Sequence, residues 1–318
     1  MKEIIISAND ASQRLDRFLK KYLSAAPLSA IYKAIRKDVK VNGRRSKEDY
    51  MLQEGDSLCF YLPDELLESY VRKPKQAKAK KQFTIAYEDD NILVVSKPFG
   101  LLVHGDVTEK KNTLANQVVD YLIESGAYVP RLEKSFTPSP ANRLDRNTTG
   151  LVLFGKNAPA LRALTAMVAD KEGSLEKYYL TICEGKLTEE RTLGGYMLKD
   201  EATNRVRMVR RPVPGAKEVK TVVTPLFSTA RYTLVQCRLL TGRSHQIRLH
   251  LADIGHPIYG DPKYGKGSGQ LLHAYKLVFG DCPEGFRYLN GTVVTSPLPP
   301  EFRRVADKIF ERDTEELI

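Results

Sequence analysis

The run YVRKPKQAKAKKQ, residues 70–82, reads as a linker, and this divides the chain. It has no apolar periodicity, Pro74 interrupts it, and Arg72, Lys73, Lys75, Lys78, Lys80 and Lys81 crowd into it. Like charges at that density repel one another and keep a segment extended. Residues 64–82 are therefore expected to form a basic linker, with a small unit over 1–63 before it and a larger one over 83–318 after it. A chain of 318 residues suits two units, at roughly 100–200 residues per domain.

The linker's charge belongs to a wider surplus: 50 Lys and Arg stand against 39 Asp and Glu, a net of +11. Such an excess favours a polyanionic partner, either nucleic acid or an anionic membrane. There is no basic amphipathic helix with bulky apolar anchors and no lipidation motif, so nucleic acid leads. Apolar runs as short as Ile4–Ile6 and Leu93–Val95 exclude a membrane-spanning helix. The opening MKEIIISAND lacks the features of a secretory signal, and a cytoplasmic location is expected. Cys59, Cys183, Cys237 and Cys282 have neither CxxC nor zinc-finger spacing, and are expected to be buried, reduced side chains. The basic linker reads equally as a solvated tether and as a strip of phosphate contacts, and both can hold.

Before the linker, Leu15, Phe18, Leu19, Tyr22 and Leu23 recur at helical spacing, with Asp10 and Gln13 as the expected cap. A second helix is expected after Ser29, burying Ile31, Ala34 and Ile35. Val39 and Val41 then lead into the turn dipeptide Asn42-Gly43, and Leu58, Phe60 and Leu62 alternate until Pro63. Lys33, Arg36, Lys37, Lys40, Arg44, Arg45 and Lys47 crowd around the second helix and the turn, a compact surface for RNA. The stretches RLDRFL (14–19), IRKDVKVNG (35–43) and LQEGDSL (52–58) resemble an S4-type RNA-binding domain in order and spacing.

From residue 83 strands predominate. Ile85–Tyr87 and Ile92–Val95 flank a hairpin signal at 89–91, Lys97-Pro98-Phe99-Gly100 breaks the strand, and Leu101–His104 is expected to resume it. Helices are expected after Thr113 and Asn157, and one containing Ile247, Leu251 and Ile254 ends at Gly255. Leu151–Phe154 is continuously apolar, as a strand buried on both faces requires. Further strands are expected over Tyr179–Cys183, Val219–Thr224 and Thr233–Leu239. Without regular βαβ alternation, the expected class is α+β with a mixed, largely antiparallel sheet.

Two stretches carry the chemistry. NRLDRNTTG (142–150) sets Asp145 between Arg143 and Arg146 in a polar loop just before the buried strand. Alone, it supports no more than a surface salt bridge and a turn. TGRSHQIRLHLADIGHPIYGD (241–261) gathers Arg243, Arg248 and three histidines around one helix. A metal reading of His245, His250, His256 and His273 lacks HExxH spacing or a completing carboxylate, so no metal is expected.

Taken together, the chain resembles the RluA-type pseudouridine synthases. NRLDRNTTGLVLFGK (142–156) is similar to the catalytic motif of that family, and KYYLTICEG (177–185) to its tyrosine strand. Residues 241–261 match a third motif; KPFGLLVH (97–104) and LLHAYKL (271–277) match two supporting ones. With the S4-like unit, the whole resembles the ribosomal large-subunit branch. The resemblance implies isomerisation of uridine in RNA, with Asp145 as the essential carboxylate. It further implies that Arg248 orients Asp145, that Tyr179 stacks on the base and assists proton removal at C5, and that Arg143 fills the gap left by an extruded nucleotide. Arg243 joins Arg143, Lys33, Arg36, Lys37, Arg44 and Arg45 as an expected RNA contact. No cofactor is implied, because the reaction neither gains nor loses electrons. The implied partner is 23S-type ribosomal RNA, with transfer RNA as an alternative, and a monomer is expected. Asn142, Asn147 and Thr149 depart from the usual His, Asp and Ser. The alternatives are a non-catalytic RNA-binding or ribosome-assembly factor and a base-releasing RNA glycosidase.

Overall fold

Helical burial and a two-residue turn organise the first 71 residues. In the computed structural model, which describes residues 1–71, 80–130, 134–170, 173–200 and 205–318, these build β1 (Lys2–Ile5), α1 (Leu15–Tyr22), α2 (Leu28–Lys37), β2 (Val39–Val41), β3 (Ser57–Phe60) and α3 (Asp64–Tyr70). The strands form an antiparallel sheet in the order β1-β3-β2. Leu15, Phe18 and Leu19 of α1 and Ile31, Ala34 and Ile35 of α2 share one core with Leu58 and Phe60. Asn42 and Gly43 both take positive φ, 50° and 76°, and Val41 and Arg44 exchange both backbone hydrogen bonds across them. Two consecutive positive φ values are what a tight hairpin turn demands.

Two expectations fail here. Asp10 and Gln13 do not cap α1, which starts after Arg14 and has no side-chain cap. Ser12 turns into the left-handed region, and the Asp10 carboxylate is buried, accepting hydrogen bonds from Ser7 and Ser135 instead. Residues 64–70, expected to be linker, form α3, because Leu67 reaches the N-terminal core and is buried there. Residues 72–79 of the expected linker lie outside the described residues.

The larger part contains β4 (Thr84–Glu88), β5 (Ile92–Lys97), α4 (Leu114–Glu124), β6 (Ser139–Pro140), β7 (Thr149–Gly155), α5 (Ala158–Ala169) and β8 (Leu175–Glu184). There follow β9 (Arg191–Asp200), β10 (Arg205–Val209), β11 (Lys217–Ser228), β12 (Tyr232–Leu239), α6 (Gln246–Asp253), β13 (Leu272–Phe279), β14 (Val293–Thr295) and α7 (Pro300–Phe310). The strands run β10-β9-β11-β12-β8-β13-β7-β5-β4, with β14 beside β13 and β6 beside β7. Among the described residues β13 and β7 pair in parallel and the other pairs are antiparallel, so the sheet is mixed and largely antiparallel. Thr113 and Asn157 cap α4 and α5 through their side chains.

Strand β7 lies at the centre of this packing. Val152 and Phe154 face one core and Leu151 and Leu153 the other, so burial on both faces follows from its unbroken apolar run. Gly150, at φ +104°, passes so close to β13 that a Cβ would lie 2.1 Å from the Ala274 carbonyl oxygen. Only glycine permits that approach, and it pins the preceding 142–148 loop over the sheet.

Leu101–His104 does not resume a strand; Leu102 makes one isolated bridge to Thr113. The segment curls around the Lys97 ammonium, which takes the carbonyls of Pro98 and Leu101 that a ladder would have used. The small unit contacts the large one through a polar seam. Ser135 donates to Asp10 at 2.7 Å, Gln13 donates to Ser135 at 2.9 Å, and Asn9 accepts the Ala158 N–H at the start of α5. Cys183, Cys237 and Cys282 are buried free thiols, while Cys59 is partly exposed.

Two candidate metal ligands are packing groups. The His273 Nε2–H donates to the Ser296 carbonyl at 3.2 Å, and Nδ1 accepts from the Thr149 hydroxyl at 2.8 Å, joining β7 to β13. His250 meets Thr221 at 2.9 Å. Burial pushes both pKa values down to about 4, from the usual 6.5. Between pH 6.5 and 4 the unfolded chain takes up these protons and the folded chain does not, so stability falls as pH falls. The expected loss is up to about 3 kcal/mol per ring, at 1.36 kcal/mol per pH unit. Chemical-denaturation midpoints at pH 7 and pH 4.5 measure it; equal stabilities would contradict it.

Candidate active site

The loop before β7 is held from beneath at several points. Asn142 Oδ1 accepts the Leu153 N–H at 2.8 Å, and its amide donates to the Leu151 carbonyl at 3.4 Å. The asparagine in place of the usual histidine thus ties the loop to its strand. Lys97, at the end of β5 and 1 % exposed, donates to the carbonyls of Pro98 (3.0 Å), Leu101 (2.8 Å) and Arg146 (2.9 Å). Three carbonyls saturate its three hydrogens and fix the backbone next to Asp145. Burial pushes the Lys97 pKa down to about 7, with Asp145 pulling the other way.

Arg248 comes from the first turn of α6. Its Nη1 donates to Asp145 Oδ2 at 3.0 Å, while Nε and Nη2 form a fork on Asp261 at 2.7 and 2.9 Å. Asp261 is fully buried and also accepts the backbone N–H groups of Lys263 and Tyr264. Burial alone would raise its pKa, but Arg248 and these N–H groups bring it below the usual carboxylate range. A bidentate guanidinium–carboxylate pair sets direction as well as distance, so Asp261 aims the remaining nitrogen of Arg248 at Asp145.

Tyr179 projects from β8 into the same cleft and is 8 % exposed. Its hydroxyl has no hydrogen-bond partner among the described residues. Burial, reinforced by the Asp145 charge, raises its pKa well above that of an ordinary phenol. The ring therefore keeps its proton near neutral pH. Neighbouring Tyr178 points to the other face, where it donates to Glu176 and lies under the Lys276 ammonium.

Asp145, Tyr179 and Arg248 therefore line one cleft of about 830 Å³, with Arg143 and Arg243 exposed at its rim. That is room enough for a nucleoside. Lys33, Arg36, Lys37, Arg44 and Arg45 are exposed on the small unit and do not line the cleft. Lys97, Asp261 and Tyr264 join the site although the sequence alone assigns them no role, and His245, weighed there only as a metal ligand, stands beside Asp145. Lys97 and Asp261 lie inside the motifs at 97–104 and 241–261, but only their burial reveals what they hold. Among the described residues no group of three or more His, Cys, Asp or Glu could hold a metal ion, and none of their helices is long and apolar enough to cross a membrane.

The family model described as RNA pseudouridylate synthase matches residues 91–253. The ribosomal large subunit pseudouridine synthase C of Salmonella typhi is 35% identical over 270 residues, covering 83% of this chain and 80% of the relative. The protein of that name from Vibrio cholerae is 33% identical over 292 residues, covering 87% and 84%. The solved structure of human RNA Pseudouridylate Synthase Domain Containing 4 shares the fold, with a TM-score of 0.54 at 22% identity, covering 69% of this chain and 89% of that one. A shared fold does not by itself demand identity of this level across more than four fifths of a sequence, and the chain belongs to the RNA pseudouridylate synthase family.

Proposed function

We propose that the protein isomerises uridine to pseudouridine in large-subunit ribosomal RNA, with Asp145 as the carboxylate that acts at the ribose. The observation that carries this reading is the Asp145 carboxylate itself, held by Arg248 at 3.0 Å in a nucleoside-sized cleft. The names of the relatives supply the RNA class. In the reaction the N1–C1′ bond breaks, the detached uracil turns, and C5 bonds to C1′. A proton leaves C5 and one is taken up at N1, so atoms and electrons balance without a redox partner. Asp145 acts on the sugar, Tyr179 stacks on the freed base and keeps it in the cleft, and Arg143 fills the place of the extruded nucleotide.

The small unit serves as an S4-type RNA-binding domain, with the chain working as a monomer in the cytoplasm. Its exposed Lys33, Arg36, Lys37, Arg44 and Arg45 support this reading. Replacing all five by glutamine is expected to weaken RNA binding. It should also flatten the dependence of log K on log salt by about 0.7–0.9 for each phosphate that is no longer neutralised. Binding titrations at several salt concentrations measure both; an unchanged slope would remove the cluster from the interface.

Mapping pseudouridine in cells lacking the gene, beside the parent strain, tests the activity. The expected result is loss of modification at one or a few uridines of large-subunit ribosomal RNA, restored by the parent gene. Missing transfer-RNA sites would redirect the substrate assignment, and free uracil released from RNA in vitro would mark a glycosidase instead.

A further inference from the structure

His245, just before α6, carries features that Asp145 and Arg248 do not explain. Its backbone is left-handed, at φ 61° and ψ 14°, a conformation few residues other than glycine adopt and one that tends to cluster at functional sites. Its ring is wedged edge-on against Tyr264, with centroids 5.7 Å apart and planes at 79°. Nδ1 lies 3.0 Å from the Tyr264 hydroxyl, and Nε2 lies 3.7 Å from Asp145 Oδ2.

These contacts define where the ring proton sits. The Asp145 carboxylate can only accept, so the ring hydrogen belongs on the Nε2 that faces it, and the Tyr264 phenol, which burial keeps protonated with its pKa raised to about 12, donates to Nδ1. Burial also lowers the His245 pKa, with Asp145 opposing, so the ring is neutral near neutral pH. A neutral ring that accepts at Nδ1 carries its hydrogen on Nε2, the nitrogen facing Asp145. Tyr264 is held in turn: its N–H donates to Asp261 at 3.1 Å, and the Arg248 guanidinium lies 5.4 Å from the centre of its ring. Asp261 thus supports both groups that face Asp145, Arg248 directly and His245 through Tyr264.

Both groups meet the same oxygen. Arg248 and His245 approach Oδ2, whereas Oδ1 has no side-chain or backbone partner among the described residues. We infer that His245 is a positioning residue, its Nε2–H joining Arg248 in holding Asp145 by Oδ2 so that Oδ1 is the oxygen presented to the ribose. The inference deepens the proposed function and rests on Asp145 being the reactive carboxylate. At 3.7 Å the contact is longer than a hydrogen bond, and the Nε2–H acts on Oδ2 electrostatically.

The test uses the full-length protein and unmodified large-subunit ribosomal RNA transcribed with tritium at C5 of uridine. Tritium release follows isomerisation, because that hydrogen leaves C5. His245→Gly tolerates the left-handed backbone and removes only the ring. It is expected to keep the parent's RNA affinity but to lose single-turnover rate by about 100-fold, the scale of a misplaced reacting group. In nitrogen-15 histidine spectra the parent His245 should show a protonated Nε2 and a bare Nδ1, and Tyr264→Phe should mix the two tautomers. A parent rate in His245→Gly, parallel loss of affinity and rate, or a proton on Nδ1 in the parent each overturns the inference. Asp145→Asn is the control. Turnover surviving in that variant defeats the Asp145 reading itself, a result distinct from an active His245→Gly beside an inactive Asp145→Asn.

Discussion

Asp145→Asn is expected to abolish pseudouridine formation, by on the order of 10³-fold or more, while RNA binding stays close to that of the parent. The substitution keeps the size of the side chain and removes its charge. An amide neither attacks the sugar nor takes a proton from it, so turnover is lost in either role. Little else should move. The backbone around residue 145 is held by Lys97 on the Arg146 carbonyl and by Asn142 on β7, and neither contact involves the carboxylate. The exposed rim arginines, Arg143 and Arg243, are likewise separate from it. Single-turnover tritium release and filter binding with the same RNA separate the two quantities. Normal product formation would refute the role given to Asp145.

Asp261→Ala is expected to damage both stability and turnover, although Asp261 is fully buried and does not line the cleft. The change removes the forked acceptor of Arg248 and the acceptor of two backbone N–H groups. Breaking one side of a buried ion pair costs about 3–5 kcal/mol, since the remaining charge loses its compensation. Asp145 stays beside Arg248, but the guanidinium is no longer aimed, and its support through Tyr264 and His245 loosens as well. Turnover should fall by about 100-fold, with RNA affinity much less affected. Urea denaturation and single-turnover rates measure the two effects. Parent-like values in both would show that Asp261 supports neither group.

Much of the fold was legible because its signals are local. The β7 run, the caps at Thr113 and Asn157 and the Asn42-Gly43 turn each depend on a few adjacent residues, and each forms as expected. Less local features went unread. Gly194-Gly195 interrupts alternation in β9, a strand secured by pairing with β10 and β11. Leu101–His104 has strand-like composition, yet its carbonyls turn to the Lys97 ammonium. Asp10 has the type and spacing of a helix cap, but a serine more than a hundred positions away captures its carboxylate.

Asp145, Tyr179 and Arg248 could be named as candidates before any coordinates, because the stretches that hold them resemble, in order and residue type, the motifs of a known family. Their convergence required the tertiary structure. Asp145 and Arg248 are 103 positions apart and meet only because β7 and α6 pack around one cleft. Lys97, Asp261, His245 and Tyr264 owe their roles to burial and to the direction of their hydrogen bonds. Those properties belong to an environment assembled from distant segments, and no window of sequence contains it.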